Sequence, residues 1–174
     1  MWVFGYGSLL WNPGFPFVEQ RMASLRGYRR SFSMRSIHHR GTVEDPGLVL
    51  ALDVKEQAVC DGLAFFVAAE NQDATLEYLR ERELISSAYI EKNLMIDVKG
   101  IGLVESVVYV IDETHVQYCD LSLYEQAKII AHAVGGRGPN WEYLRNTVNF
   151  LNASKIYDAD LQWLDAEVTK IRGP

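Results

Sequence analysis

Met1-Trp2-Val3-Phe4-Gly5-Tyr6-Gly7-Ser8-Leu9 opens the chain with an apolar run that breaks off in a glycine-rich turn. An apolar run that stops so abruptly reads as a buried strand, Trp2 to Tyr6, and makes the turn after it the first place to look for a ligand. Glycines on both sides of Tyr6 let the backbone take positive φ and let a ligand approach the main chain, so that several N–H groups can be aimed at one oxygen. The pattern is not a nucleotide loop. A dinucleotide fingerprint needs a third glycine where Leu10 stands, and the Gly-Lys-Ser/Thr of a phosphate loop is missing. On its own, Gly-x-Gly at a strand end is more often a tight turn than a site.

Further strands are expected at Ser24 to Arg35, Leu48 to Val54, Gly62 to Ala68, Tyr89 to Val98 and Leu103 to Ile111, each rich in β-branched or aromatic residues. Asp45-Pro46-Gly47 and Lys99-Gly100 punctuate them as turns. One helix interrupts the series, from about Asp73 to Leu84, after the capping-type residues Asn71 and Asp73. The tail reads as three amphipathic helices. Leu123, Ala127, Ile130, Ala131 and Val134 line the first, which Ser122-x-x-Glu125 caps and Gly135-Gly136 ends. Pro139 opens the second, with Trp141, Leu144, Val148 and Leu151 on one face. Leu161, Leu164, Val168 and Ile171 line the third. Strands followed by helices indicate an α+β fold, expected as a single domain over 1–174, with 1–111 mainly strands plus one helix and 120–172 helical. Periodicity leaves an open sheet and a small barrel equally possible.

A chain of 174 residues, nearly half of them apolar, can bury a core of its own. A net charge of −6 and a pI near 5.2 argue against a general binder of nucleic acid or of membrane surfaces, both polyanions. The longest apolar run, Leu63 to Ala69, is far short of the roughly 20 residues of a membrane helix. The N-terminus has no basic lead of a signal peptide, and a cytoplasmic protein is expected. Cys60 and Cys119 stand apart, with no spacing that suggests a metal site or a disulfide framework, and are expected as reduced, buried thiols.

Beyond the glycine turn, two features could carry chemistry. In the interrupting helix Leu76, Leu79 and Glu83 stand at i, i+3 and i+7, so Glu83 projects from the stripe that meets the core. Burial there would raise the carboxyl pKa toward the range of proton transfer near neutrality; the alternative is a simple ion pair with Arg80 or Arg82. Between Glu19 and Glu44 lie Arg21, Arg26, Arg29, Arg30, Arg35 and Arg40 without one acidic residue. Such an island invites an anion, with Arg35-Ser36-Ile37-His38-His39-Arg40-Gly41 its densest part, although most of these arginines suit a solvated hairpin face balanced by acids elsewhere. In a strand, Arg35, Ile37 and His39 would share one face. Zinc is not expected, because His38 and His39 would point apart and His115 and His132 lack a companion ligand. Ser8 is not inside Gly-x-Ser-x-Gly, so a serine-hydrolase triad has no support either.

Taken together, the segments Val3 to Phe15, His39-Arg40-Gly41-Thr42 with Pro46-Gly47, Arg82-Glu83 with Tyr89, and Gly135-x-x-Gly138-x-Asn140-x-Glu142-Tyr143-Leu144 make the chain resemble the ChaC-type gamma-glutamylcyclotransferases from Trp2 to about Val168. The form Arg82-Glu83-Leu84-Ile85 and the short turn at Gly100 look like the bacterial branch; Ala88 stands where a glycine or other small residue is usual. The resemblance implies a mixed β-barrel flanked by helices, with no metal and no cofactor. It implies cleavage of glutathione to 5-oxoproline and cysteinylglycine, Glu83 acting as general base and acid. It also implies that Tyr6, Gly7, Ser8, Leu9 and Leu10 hold the glutamyl moiety, that Tyr89 lines the pocket, and that Arg35 or His39 meets a substrate carboxylate. The alternatives are a cyclotransferase for other gamma-glutamyl amines or amino acids and a non-catalytic regulator of cation transport. Oligomeric state has no motif.

Overall fold

A computed structural model describes residues 1–173. Its long strands are β1 (Trp2–Gly5), β2 (Glu19–Ser36), β3 (Gly47–Phe66), β4 (Tyr89–Val98) and β5 (Gly102–Ile111), with helix α1 (Gln72–Glu83) between β3 and β4. They close into a mixed barrel in the order β1-β3-β2-β4-β5. Antiparallel pairing joins β1 to β3, with Trp2 opposite Phe66 and Gly5 opposite Leu63, and joins β4 to β5 from Tyr89 opposite Ile111 to Val98 opposite Gly102. A parallel seam, Trp2 with Ser106 and Val3 with Val107, closes the ring between β1 and β5 and removes the free edges of an open sheet. Val3, Phe4, Leu25, Leu52, Phe65, Ile96 and Val108 are all buried.

Two strands expected separately, Leu48 to Val54 and Gly62 to Ala68, are the two ends of β3. The exposed stretch Val54 to Gln57 between them has the polarity of a turn, but a strand tolerates polar residues wherever it faces water. Gly62 within β3 is required by close approach: a Cβ there would run into the Gly5 carbonyl and the Phe4 ring.

The chain divides into two compact units, Met1–Ser31 with Ala51–His115, and Phe32–Leu50 with the stretch from Val116. The second holds α2 (Leu123–His132), the two-residue strands β6 (Val134–Gly135) and β7 (Gly138–Pro139), α3 (Asn140–Ala153) and α4 (Ala159–Arg172). The three helices pack on one another through Ala127, Ile130, Leu144, Val148, Leu151, Leu161, Leu164 and Val168. The capping box Ser122–Glu125 is formed as expected. The helix it starts ends at His132, before Gly135-Gly136, because Val134 and Gly135 leave to pair with β7; Val134 is exposed. On α3 the buried aromatic is Tyr143, while Trp141 is half-exposed beneath the Arg172 guanidinium. Among the described residues no helix is long and apolar enough to cross a membrane.

Candidate active site

The turn after β1 is a short 3-10 helix, Ser8–Leu10, anchored by the buried side chains of Leu9 and Leu10. Its shape does not use positive φ: Gly7 sits at φ −124°, and Gly5 is glycine because a Cβ would press on Phe65 at 3.0 Å and on Leu9 at 3.1 Å. Tyr6 is fixed at both ends, its hydroxyl donating to the Tyr109 carbonyl at 2.8 Å and its own carbonyl accepting from Arg30 Nη1 at 3.1 Å. The Leu10 N–H is spent on the Gly7 carbonyl at 2.9 Å, which makes Leu10 a turn-former rather than a donor to a ligand.

Glu83 is the last residue of α1. The fully buried positions of that helix are Thr75 and Leu79, so Glu83 continues a line of i, i+4, i+8, and Leu76 lies only half-buried beside it. The carboxylate pairs with the neighbouring Arg82, Nε to Oε1 3.0 Å, the two side chains being 12% and 18% exposed. Arg82 reaches further than that pair. Its Nη2 donates to Ser8 Oγ at 2.8 Å, and its Nη1 to the carbonyls of Asn12 at 2.7 Å and Pro13 at 3.2 Å and to the Tyr78 hydroxyl at 3.1 Å. Tyr78 in turn stands where a Cβ on Gly14 would be, and Gly14 takes φ +75°, so the chain leaving the turn lies flat on α1. Loop and helix thus meet on one guanidinium, a residue the sequence offers as a partner for Glu83 and as part of the Arg82-Glu83 motif.

A second polar group borders the first. Arg80 grips Glu91 of β4 with two bonds, 2.8 and 2.7 Å, and Glu91 accepts from the Tyr109 hydroxyl at 2.9 Å. The Arg80 bond holds the Glu91 carboxyl below the usual range, while burial and then the Glu91 bond push the Tyr109 phenol well up, with the charge of Glu83 adding to the effect. Tyr109 is therefore a neutral phenol at any physiological pH. Tyr89 begins β4 half-buried.

Part of the arginine island is satisfied within the chain. Arg21 pairs with Glu19, Arg29 donates to the buried carboxylate of Asp53 at 2.8 Å, and Arg30 is not a solvated residue at all but is buried on the carbonyls of Tyr6 and Asp61.

Arg35 and His39 belong to the second unit. Arg35 is tied through its backbone to Gln117, whose side-chain amide donates to the Arg35 carbonyl at 2.8 Å. β2 ends at Ser36, so strand alternation does not order His38, His39 and Arg40; they lie in a bend whose carbonyls at His38 and His39 accept from the N–H groups of Gly136 and Arg137. The loop is packed without room for side chains, since a Cβ on Gly41, Gly47 or Gly135 would strike neighbouring backbone. Arg40 donates to the Arg137 and Pro139 carbonyls, and burial lowers its pKa. Asn140, fully buried, accepts from the Leu48 N–H at 2.6 Å and donates to the Leu48 carbonyl at 2.7 Å, as a strand neighbour would.

This fold is shared with a crystal structure of a gamma-glutamylcyclotransferase specific to glutathione from yeast, at a TM-score of 0.88 and 23% identity, covering 99% of this chain and 96% of that one. The sequence comparison is more particular. The chain is 34% identical over 172 residues to the glutathione-specific gamma-glutamylcyclotransferase of Escherichia coli strain K12, covering 98% of this chain and 74% of that protein. It is 33% identical to the enzyme of that name from Schizosaccharomyces pombe, covering 98% and 93%. Residues 1–171 match the family described as ChaC-like protein, and the chain belongs to that family.

Proposed function

We propose that this protein is a glutathione-specific gamma-glutamylcyclotransferase, a lyase that converts glutathione into 5-oxoproline and cysteinylglycine. The observation that carries this reading is the meeting of the Tyr6–Leu10 turn and the Glu83 carboxylate on one guanidinium, in a chain of this family. The nucleophile is the substrate's own α-amine, which forms a bond to the γ-carbonyl carbon as the amide bond to cysteine breaks. No water is consumed. The protein's task is then to fold and hold the glutamyl arm, and an oriented intramolecular attack recovers much of the barrier. Glu83 takes a proton from the α-ammonium and returns one to the departing nitrogen, a role suited to a carboxylate mostly shielded from water. N–H groups of Tyr6 to Leu9 hold the glutamyl moiety and stabilise the oxyanion, and Tyr89 lines the pocket. We assign a substrate carboxylate to Arg35 or His39. The acidic chain is read as a cytoplasmic enzyme acting on a small molecule, with no nucleic-acid or membrane partner.

The test is to incubate the purified protein with glutathione, with gamma-glutamylalanine and with buffer, following 5-oxoproline and the released amine by mass spectrometry. Equal amounts of 5-oxoproline and cysteinylglycine from glutathione alone are expected. Product only from gamma-glutamylalanine would move the substrate to other gamma-glutamyl compounds, and no product from either would overturn the reading in favour of a non-catalytic role.

A further inference from the structure

We propose that Arg82 is a positioning residue of this reaction, a clamp that holds the turn after β1 and the Glu83 carboxylate in one frame; the inference rests on the cyclotransferase reading above.

Five acceptors lie on its guanidinium: Ser8 Oγ, the Asn12 and Pro13 carbonyls, the Tyr78 hydroxyl and Glu83 Oε1, all between 2.7 and 3.2 Å. All three guanidinium nitrogens are engaged, and a lysine ammonium with three donors on one nitrogen cannot reproduce that spread. Arg82 also pairs with its immediate neighbour, although adjacent helical side chains diverge by about 100°. The contact forms at the last residue of α1, where Leu84 has already left the helical path at ψ 9°.

That place explains what the clamp does for the chemistry. A carboxylate at a helix C-terminus faces the negative end of the macrodipole, which disfavours its charge. Arg82 sets a cation against it at 3.0 Å, while the neutral Tyr109 phenol of β5 feels the charge of Glu83 as well as that of the Arg80–Glu91 pair. A cation so placed favours the charged form of the carboxylate, the form that can accept a proton. At its other end it donates to Ser8 Oγ, so the Ser8 hydroxyl proton points away from Arg82 and serves as a donor within the turn that holds the substrate.

Steady-state kinetics on glutathione across mildly acidic to mildly alkaline pH, with wild type, R82Q, R82K and E83Q side by side, test this. In R82Q the loss of frame lowers kcat by about a hundredfold, and loss of the cation moves the acid limb of kcat/KM to higher pH. R82K, the milder variant, keeps the acid limb in place but still loses about tenfold in kcat, because the charge is retained and the fork is not. Either variant within about threefold of wild type at every pH would overturn the proposal, the hundredfold scale being the reference. So would losses that follow the folded fraction by circular dichroism with an unmoved pH profile, or a protein that folds with neither residue, since Arg82 would then serve only the fold. E83Q separates the two readings. If E83Q is inactive while R82Q and R82K are normal, the clamp alone fails; if E83Q turns over like wild type, the catalytic reading fails and takes the clamp with it.

Discussion

The turn after β1 and the loop after β2 are both short, glycine-bearing and dense in the residues that carry the family resemblance, yet they are held by different means. Around Ser8 the binding is done by side chains: Tyr6 to a carbonyl, Arg30 to Tyr6, Arg82 to five acceptors. Around Gly41 backbone does most of it, with the His38 and His39 carbonyls bonded to Gly136 and Arg137 and three glycines allowing main chains to touch, and the Arg40 side chain adds bonds to carbonyls of the same loop. Asn140 completes that region by imitating a peptide group opposite Leu48. A motif can thus record chemistry in one place and close packing in another. The type of bond distinguishes them, because a side-chain clamp sets the position of reacting groups whereas a glycine contact only permits a chain path.

The sharpest way to break this contrast is E83Q. Turnover is expected to fall by about a thousandfold with the melting temperature nearly unchanged, measured as 5-oxoproline release beside a thermal melt. A stable, active E83Q would remove the chemical region from the comparison. Next in size is G135A, where the new Cβ would lie 2.6 Å from the Arg40 amide nitrogen. Urea unfolding should show a loss of about 3 kcal/mol or more, with the activity of the remaining folded protein largely kept. If G135A instead melted like wild type, the backbone reading of the loop would fail.

Much of this architecture can be read from residue patterns, and the misses have physical causes. β4 and the capping box of α2 fall where strand-type composition before the Lys99-Gly100 turn and Ser122-x-x-Glu125 put them. Lys55-Glu56-Gln57 has the polarity of a turn and hides the continuity of β3, and only its place in the sheet shows that it faces water. Leu76 is the more apolar residue, yet the buried line of the helix passes through Thr75. Glu83 was legible from its spacing. Arg82 was not, since its acceptors at Ser8, Asn12 and Pro13 lie about seventy residues upstream and no local pattern encodes a hydrogen bond across that distance.

Two smaller effects refine the comparison. If the loop after β2 also contributes to binding, one of R35Q and H39A raises KM for glutathione by about tenfold at unchanged kcat, the scale of one charge-assisted contact. No change in KM for either would leave that region purely structural. Last comes S122A, which removes the cap of α2 and should cost about 1 kcal/mol by urea titration at neutral pH. The Ser122 hydroxyl and N–H hold the Glu125 carboxyl below its usual value. A depressed carboxyl stabilises the fold above its unfolded pKa and ceases to as pH falls through its folded one, so the gap between wild type and S122A should narrow in acid. A gap independent of pH would detach Glu125 from the cap.

The parallel seam of the barrel has a consequence for the order in which the protein is made. Trp2 and Val3 are made well before the residues beside which they lie, since Ser106 and Val107 follow more than a hundred positions later. The strand that leads into the Tyr6–Leu10 turn has no neighbour on that side until β5 has been synthesised, so its seat is completed only by a long-range pairing.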